Sequence, residues 1–170
     1  KGDFMSENKY KRKLTAILSA DVVGYSRLMS DDEESTIQTL NAYRDLMATL
    51  IEDYSGSVVD AVGDNLLAEF TSAVDAVQCA INIQLKLTKQ NEKLAEPRRM
   101  LFRIGLNIGD VIQEKDRIYG DGVNIAARIE SLADPGGVYI SRNIYNHIKK
   151  KVDFEYEYIG EESNNELPNK

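Results

Sequence analysis

The stretch "AILSADVVGYSRL" (Ala16 to Leu28) carries a short apolar run straight into an aspartate, Asp21, before returning to Val22-Val23-Gly24. A carboxylate at the end of a buried strand is costly unless a cation meets it. A second acid, Asp64, sits in "VGDNLLAEF". If Leu14 to Val22 is a central strand and Val58 to Phe70 a hairpin beside it, Asp21 at the strand's end and Asp64 at the hairpin tip approach one another. Like charges so placed repel unless a divalent ion bridges them. The sole histidine, His147, lies in the polar "NIYNHIKKKV", and the sole cysteine, Cys79, lies among small apolar neighbours, so carboxylates must do any coordinating. Hard oxygen ligands favour Mg²⁺ or Mn²⁺ and leave the remaining positions to water and substrate phosphates. The backbone N–H groups of Val22, Val23, Gly24, Tyr25 and Ser26, turning past Gly24 into the next helix, could cradle phosphate oxygens. Taken singly, Gly63-Asp64 reads equally well as an ordinary hairpin turn and Asp21 as a strand-end cap. The pair is what points to a metal.

A second constellation lies in "YGDGVNIAARIE", where Asn124 and Arg128 stand four residues apart and share one helix face. An amide and a guanidinium stacked this way suit a sugar oxygen and a phosphoryl oxygen. The competing reading is a surface helix whose polar side happens to carry both.

The elements that must position these residues follow from periodicity. Leu14 to Val22 reads as a buried strand stopped at Gly24. "SDDEESTIQTLNAYRDLMATLIEDYSG" is a helix with Ser30 as its expected N-cap and Gly56 as its terminator. "SVVDAVGDNLLAEF" reads as a tight hairpin about Gly63-Asp64, and Ala73 to Asn91 as a helix. "LFRIGLNIGDVIQEK" is a long strand, bent at Gly105 or Gly109. "DGVNIAARIESLA" is helical, "VYIS" a strand, "NIYNHIKKK" a helix and "FEYEYIG" a last strand. The order β-α-β-β-α-β with α-β-α-β appended predicts an α+β fold with a ferredoxin-like core, its helices on one face of a mostly antiparallel sheet.

A chain of 170 residues suits one domain with a core of its own. The expected division is an N-terminal tail over 1–12, partly an appended leader before Met5, a domain over 13–160 and a polar tail over 161–170. A net charge of −7 argues against nucleic acid as a partner, since duplex binding is built on Lys and Arg. No apolar run is long enough to span a membrane, and without a signal-like leader the default location is cytoplasmic.

Together, "LSADVVGYSRLM", "VGDNLLAEF", "FRIGLNIGDV" and "YGDGVNIAARIE" resemble the catalytic domain of class III nucleotidyl cyclases, the adenylate and guanylate cyclases, in the right order from Ala16 to Glu130. The resemblance implies a homodimer with active sites shared between subunits, in cyclic-nucleotide signalling and as one domain of a larger sensory protein. One subunit would hold two divalent ions, Mg²⁺ or Mn²⁺, with Asp21, Asp64 and the Val22 carbonyl. The other would supply Asn124 to orient the ribose and Arg128 to stabilise the transition state. The nucleotide 3′-hydroxyl would attack the α-phosphorus and expel pyrophosphate, with positioning and charge neutralisation doing most of the work.

Three departures from the family pattern stand out. Where adenylate cyclases of the family carry a lysine before the "GD" pair and an acid or threonine before the aromatic-glycine, this chain has Asp60 and Arg117. Asp60 could accept from guanine's N–H groups while Arg117 donates to its carbonyl oxygen; the two could instead pair with each other; or Asp116 could face the base in place of Arg117. ATP is the first expectation for substrate and GTP the second. The family's late lysine has no counterpart in "YIGEESNNELPNK", which keeps a weakly active or inactive nucleotide-binding module in view as the alternative. A diguanylate-cyclase-like enzyme is disfavoured, because its Gly-Gly-acid-Glu-Phe hairpin is missing.

Overall fold

The computed structural model describes residues 10–157, 159 and 160. Strand β1 (Lys11–Val22) is followed by a short helix α1 (Tyr25–Asp31), the long helix α2 (Glu33–Asp53), strands β2 (Ser57–Asp60) and β3 (Leu66–Phe70), helix α3 (Ala73–Glu92), strand β4 (Phe102–Glu114), strand β5 (Arg117–Tyr119), helix α4 (Asp121–Leu132), strand β6 (Val138–Ile140) and helix α5 (Arg142–Ile148). The sheet runs β2-β3-β1-β4-β5, and β6 pairs with β4 as well. All pairings are antiparallel except β4 with β6. The β2-β3-β1-β4 order is that of the expected ferredoxin-like core. β1 takes in Lys11 and Arg12, which the sequence pattern assigns to the tail.

The two faces of the sheet are covered differently. Ala16, Leu18, Ala20 and Val22 alternate onto the face packed by α1, α2, α3 and α5, where Leu28, Met47, Ile51, Ile83 and Phe102 complete the main core. The intervening Ile17 joins Val111, Ile118 and Ala126 in a smaller cluster beneath α4. The expectation of helices on one face is therefore corrected: α4 lies on the other. Gly105 makes this close approach feasible. A Cβ there would stand 2.2 Å from the Glu130 nitrogen and 2.6 Å from the Ala126 carbonyl oxygen. Its role is helix–strand proximity rather than a bend, and β4 keeps continuous register with β1 through both glycines.

Three local expectations change. Asp32, not Ser30, caps α2, its carboxylate accepting from the Ser35 N–H at 3.1 Å, while Ser30 falls inside α1. The hairpin has a five-residue connection, Ala61 to Asn65, instead of a tight two-residue turn, because β3 starts only at Leu66. Residues 152–157, 159 and 160 form no strand. Phe154 packs on the main core and Tyr156 stacks edge-to-face on Tyr145 at 5.1 Å, so the alternation of Phe154 and Tyr156 is satisfied by ring packing without a ladder. Tyr158, the polar tail after Gly160 and the leader before Tyr10 lie outside the described residues.

Candidate active site

Asp21 is the penultimate residue of β1, on the face that α4 covers farther along the sheet. Its register partner on β4 is Arg103, and the guanidinium grips both carboxylate oxygens, Nε to Oδ1 at 3.1 Å and Nη2 to Oδ2 at 2.8 Å. Such a two-point pair is the strongest geometry available to a carboxylate among side chains. The buried-strand acid thus has a cation after all, and the protein supplies it.

Asp64 reaches the same place from the hairpin. Gly63, at φ 60°, turns the chain, and the Asn65 N–H closes the turn on the Val62 carbonyl at 3.0 Å. The Asp64 carboxylate then accepts from the Val22 backbone N–H at 3.1 Å, one residue beyond Asp21. From outside, Arg44 of α2 donates to the carbonyls of Gly63 and, at 3.1 Å, of Asn65. The loop that carries Asp64 is clasped at both of its flanks.

A third acid completes the cluster. Glu130 of α4 is buried, with an oxygen 3.9 Å from Arg103 Nη2. Burial, followed by the charge of Asp21, pushes its carboxyl up to about 7, with Arg103 pulling the other way. Arg103 itself is raised chiefly by its hydrogen bonds to Asp21.

The phosphate cradle is narrower than the sequence suggests. The Val22 N–H is taken by Asp64, and the Val23 N–H donates to the Leu101 carbonyl at 2.8 Å. Gly24, in the left-handed conformation at φ 65°, begins α1, with Tyr25 half-buried against the core and Ser26 exposed. Gly24, Tyr25 and Ser26 are the residues left to offer donors at that turn.

Asn124 and Arg128 are both exposed, on the side of α4 opposite its buried Gly122, Ala126, Ile129 and Glu130. They point away from their own protomer's core. Asp60, half-buried at the end of β2, accepts from the Ala61 N–H at 2.9 Å, and Arg117 is exposed at the start of β5. Asp60 and Arg117 form no ion pair with each other, so the mutual salt bridge is not the outcome here. A groove of about 1140 Å³ runs between α4, β6, α5 and residues 154–157, 159 and 160, and neither Asp21 nor Asp64 lines it. The acid cluster lies outside that groove.

Sequence reasoning missed Arg103, Glu130 and Arg44. For Arg103 a signal existed: it is the lone charge in the run "FRIGLNI".

Among the described residues no group of three or more acidic, histidine or cysteine side chains is gathered that could hold a metal by itself. Two carboxylates from separate elements do converge at one strand end, so a hard divalent ion held there would take its remaining positions from backbone oxygen, water and phosphate.

Comparison with known proteins bears on this arrangement. The sequence model for the adenylate and guanylate cyclase catalytic domain matches residues 8–165. A protein named putative adenylate cyclase 3 from Rhizobium meliloti (strain 1021) is 44% identical over 153 residues, covering 89% of this chain and 26% of that protein. An adenylate cyclase from Streptomyces coelicolor is 27% identical over 135 residues, 79% of this chain and 34% of its own length. The chain thus spans about a third or less of these curated relatives. Among solved structures, an adenylate/guanylate cyclase/hydrolase from Silicibacter pomeroyi superposes with a TM-score of 0.85 at 34% identity, covering 94% of this chain and 93% of that one. The adenylyl cyclase CyaB from P. aeruginosa gives 0.72 at 26% identity, covering 84% and 83%. With sequence and fold converging along nearly its whole length, this chain belongs to the adenylate and guanylate cyclase catalytic domain family.

Proposed function

We propose that the chain is a nucleotidyl cyclase that converts a nucleoside triphosphate, ATP first and GTP second, to its 3′,5′-cyclic monophosphate and pyrophosphate, in a homodimer whose sites are shared. The observation that carries this reading is the Val22 N–H to Asp64 hydrogen bond, which brings the second carboxylate to the strand end where Asp21 stands. The relative named putative adenylate cyclase 3 supports ATP as the first choice of substrate.

Asp21, Asp64 and the Val22 carbonyl would hold two Mg²⁺ or Mn²⁺ ions. Bound there, such ions supply charge neutralisation at the triphosphate and a more acidic 3′-hydroxyl. The chain's own residues do the rest. Gly24, Tyr25 and Ser26 offer backbone donors to phosphate oxygens at the start of α1. Asn124 of the second protomer orients the ribose, and Arg128 beside it meets the negative charge that builds on the α-phosphoryl group as the 3′-oxygen bond forms and the bond to the leaving pyrophosphate breaks. The proton of the 3′-hydroxyl passes to water or phosphate. His147 accordingly has no part in the reaction; it lies on α5, its Nδ1 2.8 Å from the Asn143 carbonyl oxygen.

Asp60 and Arg117 are the candidates for reading the base, and their exchanged charges favour a purine with ring N–H donors and a carbonyl acceptor more than adenine alone would. This supports retaining GTP. The same two residues, together with a C-terminal segment that forms no strand among its described residues, favour a second reading: a nucleotide-binding dimerisation module with weak or no turnover. In either case a cytoplasmic location is part of the proposal.

Product analysis with ATP and GTP side by side, under Mg²⁺ and then Mn²⁺, is the test. Cyclic AMP or cyclic GMP that disappears in Asp64→Ala is expected. Nucleotide binding without any cyclic product under Mn²⁺ would leave the module reading standing.

A further inference from the structure

Arg103 sits where three carboxylates meet, and its hydrogen bonds are unevenly shared. It grips Asp21 through two nitrogens at 3.1 and 2.8 Å, touches the Ser131 carbonyl through Nη1 at 3.3 Å, and stops 3.9 Å short of Glu130. Its side chain is 28% exposed and that of Glu130 only 8%. Resting on the metal-binding reading above, we propose that Arg103 is a positioning residue that acts as a placeholder cation: it holds Asp21 in the metal-free chain and transfers its grip to Glu130 when a divalent ion arrives.

The physical case is a balance of charge. In the metal-free chain one guanidinium serves the acids, and Asp21 has the better share. A divalent ion on Asp21 and Asp64 adds a second, stronger cation a few ångströms away, which repels the guanidinium and takes over the Asp21 oxygens. Glu130 is then the nearest acid not on the ion, and a buried carboxylate that ionises without a cation beside it is costly. A shift of about 1 Å brings Nη2 from its present distance to hydrogen-bond range. The Ser131 carbonyl, one residue along α4 from Glu130, lets the guanidinium keep one contact while it changes acceptor. Without Glu130 the placeholder has nowhere to go, and it competes with the metal for Asp21. Because Glu130 belongs to α4, the helix that presents Asn124 and Arg128, the transfer also ties metal loading to that helix.

Titration of the nucleotide-free full chain with Mn²⁺, free ion being read by electron paramagnetic resonance, separates this from a static role. Arg103→Met should tighten Mn²⁺ binding about tenfold and Glu130→Gln should weaken it several-fold, with strong non-additivity in the double variant, where Glu130→Gln has little further effect. Simple long-range Coulomb attraction predicts additive shifts instead, and additivity would overturn the proposal. Arg103→Lys, which keeps the charge but loses the two-point grip, should tighten binding by less. Should Arg103→Met fail to melt cooperatively, the Lys variant and its double with Glu130→Gln carry the same test, and a shift of the opposite sign in Arg103→Lys counts against the proposal. A wild-type chain that takes up no Mn²⁺, and does not differ from Asp64→Ala, would bring down the metal reading and the placeholder with it. Additive shifts in a chain that does bind Mn²⁺ would bring down the placeholder alone.

Discussion

The acid cluster and the outer face of α4 are built on opposite plans. Around Asp21 and Asp64 the protomer provides its own partners: Arg103 for one, the Val22 N–H for the other, and Arg44 to clasp the loop behind. The α4 face that carries Asn124 and Arg128 looks outward, while its reverse side is buried on β1 and β4. One half of the proposed chemistry thus converges at a strand end within a single chain, and the other half stands on an exposed helix face. Pre-positioned groups are the ones that stabilise a transition state cheaply. Under the proposed shared-site reading a second protomer would set the outward pair against the cluster, which would give such a domain a physical reason to work as a dimer.

The contrast can be broken most sharply at the acid cluster. Asp64→Ala should cost cyclic-nucleotide formation at least about a thousandfold with Mn²⁺ present, since it removes both a proposed metal ligand and the bond to Val22. Product assays at saturating Mn²⁺ check this, and activity within tenfold of wild type would remove Asp64 from the chemistry. Arg128→Ala should lower kcat about a hundredfold with KM for the nucleotide changed only a few-fold, because its contact strengthens as charge develops. A large rise in KM at unchanged kcat would make it a binding residue only. Arg44→Met loosens the loop without touching the cluster, so the Mn²⁺ concentration for half-maximal activity should rise about fivefold while kcat at saturating ion stays near wild type.

The smallest effect concerns stability. With its carboxyl pushed up to about 7, Glu130 binds a proton in the metal-free folded chain that the unfolded chain has already released. Between the ordinary glutamate range and pH 7 the folded state therefore holds more protons than the unfolded one, and stability falls as pH rises through that window. Glu130→Gln should melt at nearly the wild-type temperature around pH 4.5 and several degrees above it by pH 7.5. A gap that does not widen with pH would contradict the raised carboxyl.

Most elements were legible because they are amphipathic at one clear period. "AILSA" and "LLAEF" had to be strands, and the long helical repeats after Asp32 and Ser72 had to be helices. The Asp21–Asp64 approach was legible too, since strand and hairpin order alone brings their ends together. The α2 cap was misplaced because "SDDEES" offers several side chains able to accept a helix N–H, and the short α1 uses up the first of them. The side of the sheet on which α4 packs could not be read from its own helical period, which is the same on either face. The closer clue was in Gly105 and Gly122, where the backbones of β4 and α4 leave no room for a Cβ. The pairing of Asp21 with Arg103, 82 residues apart, depends on strand register, and register is not written in composition.

Mixing two inactive variants tests the division of labour most directly. Asp21→Ala chains lack the acid half and Arg128→Ala chains lack the outward half, so a mixed dimer rebuilds one complete site of its two. On combining equal amounts and allowing exchange, activity should return to as much as about a quarter of wild type, since about half of the dimers are mixed and each has one intact site. Cyclic-nucleotide production that stays at the level of the separate variants, in a sample where exchange has been demonstrated, would contradict sites shared between protomers.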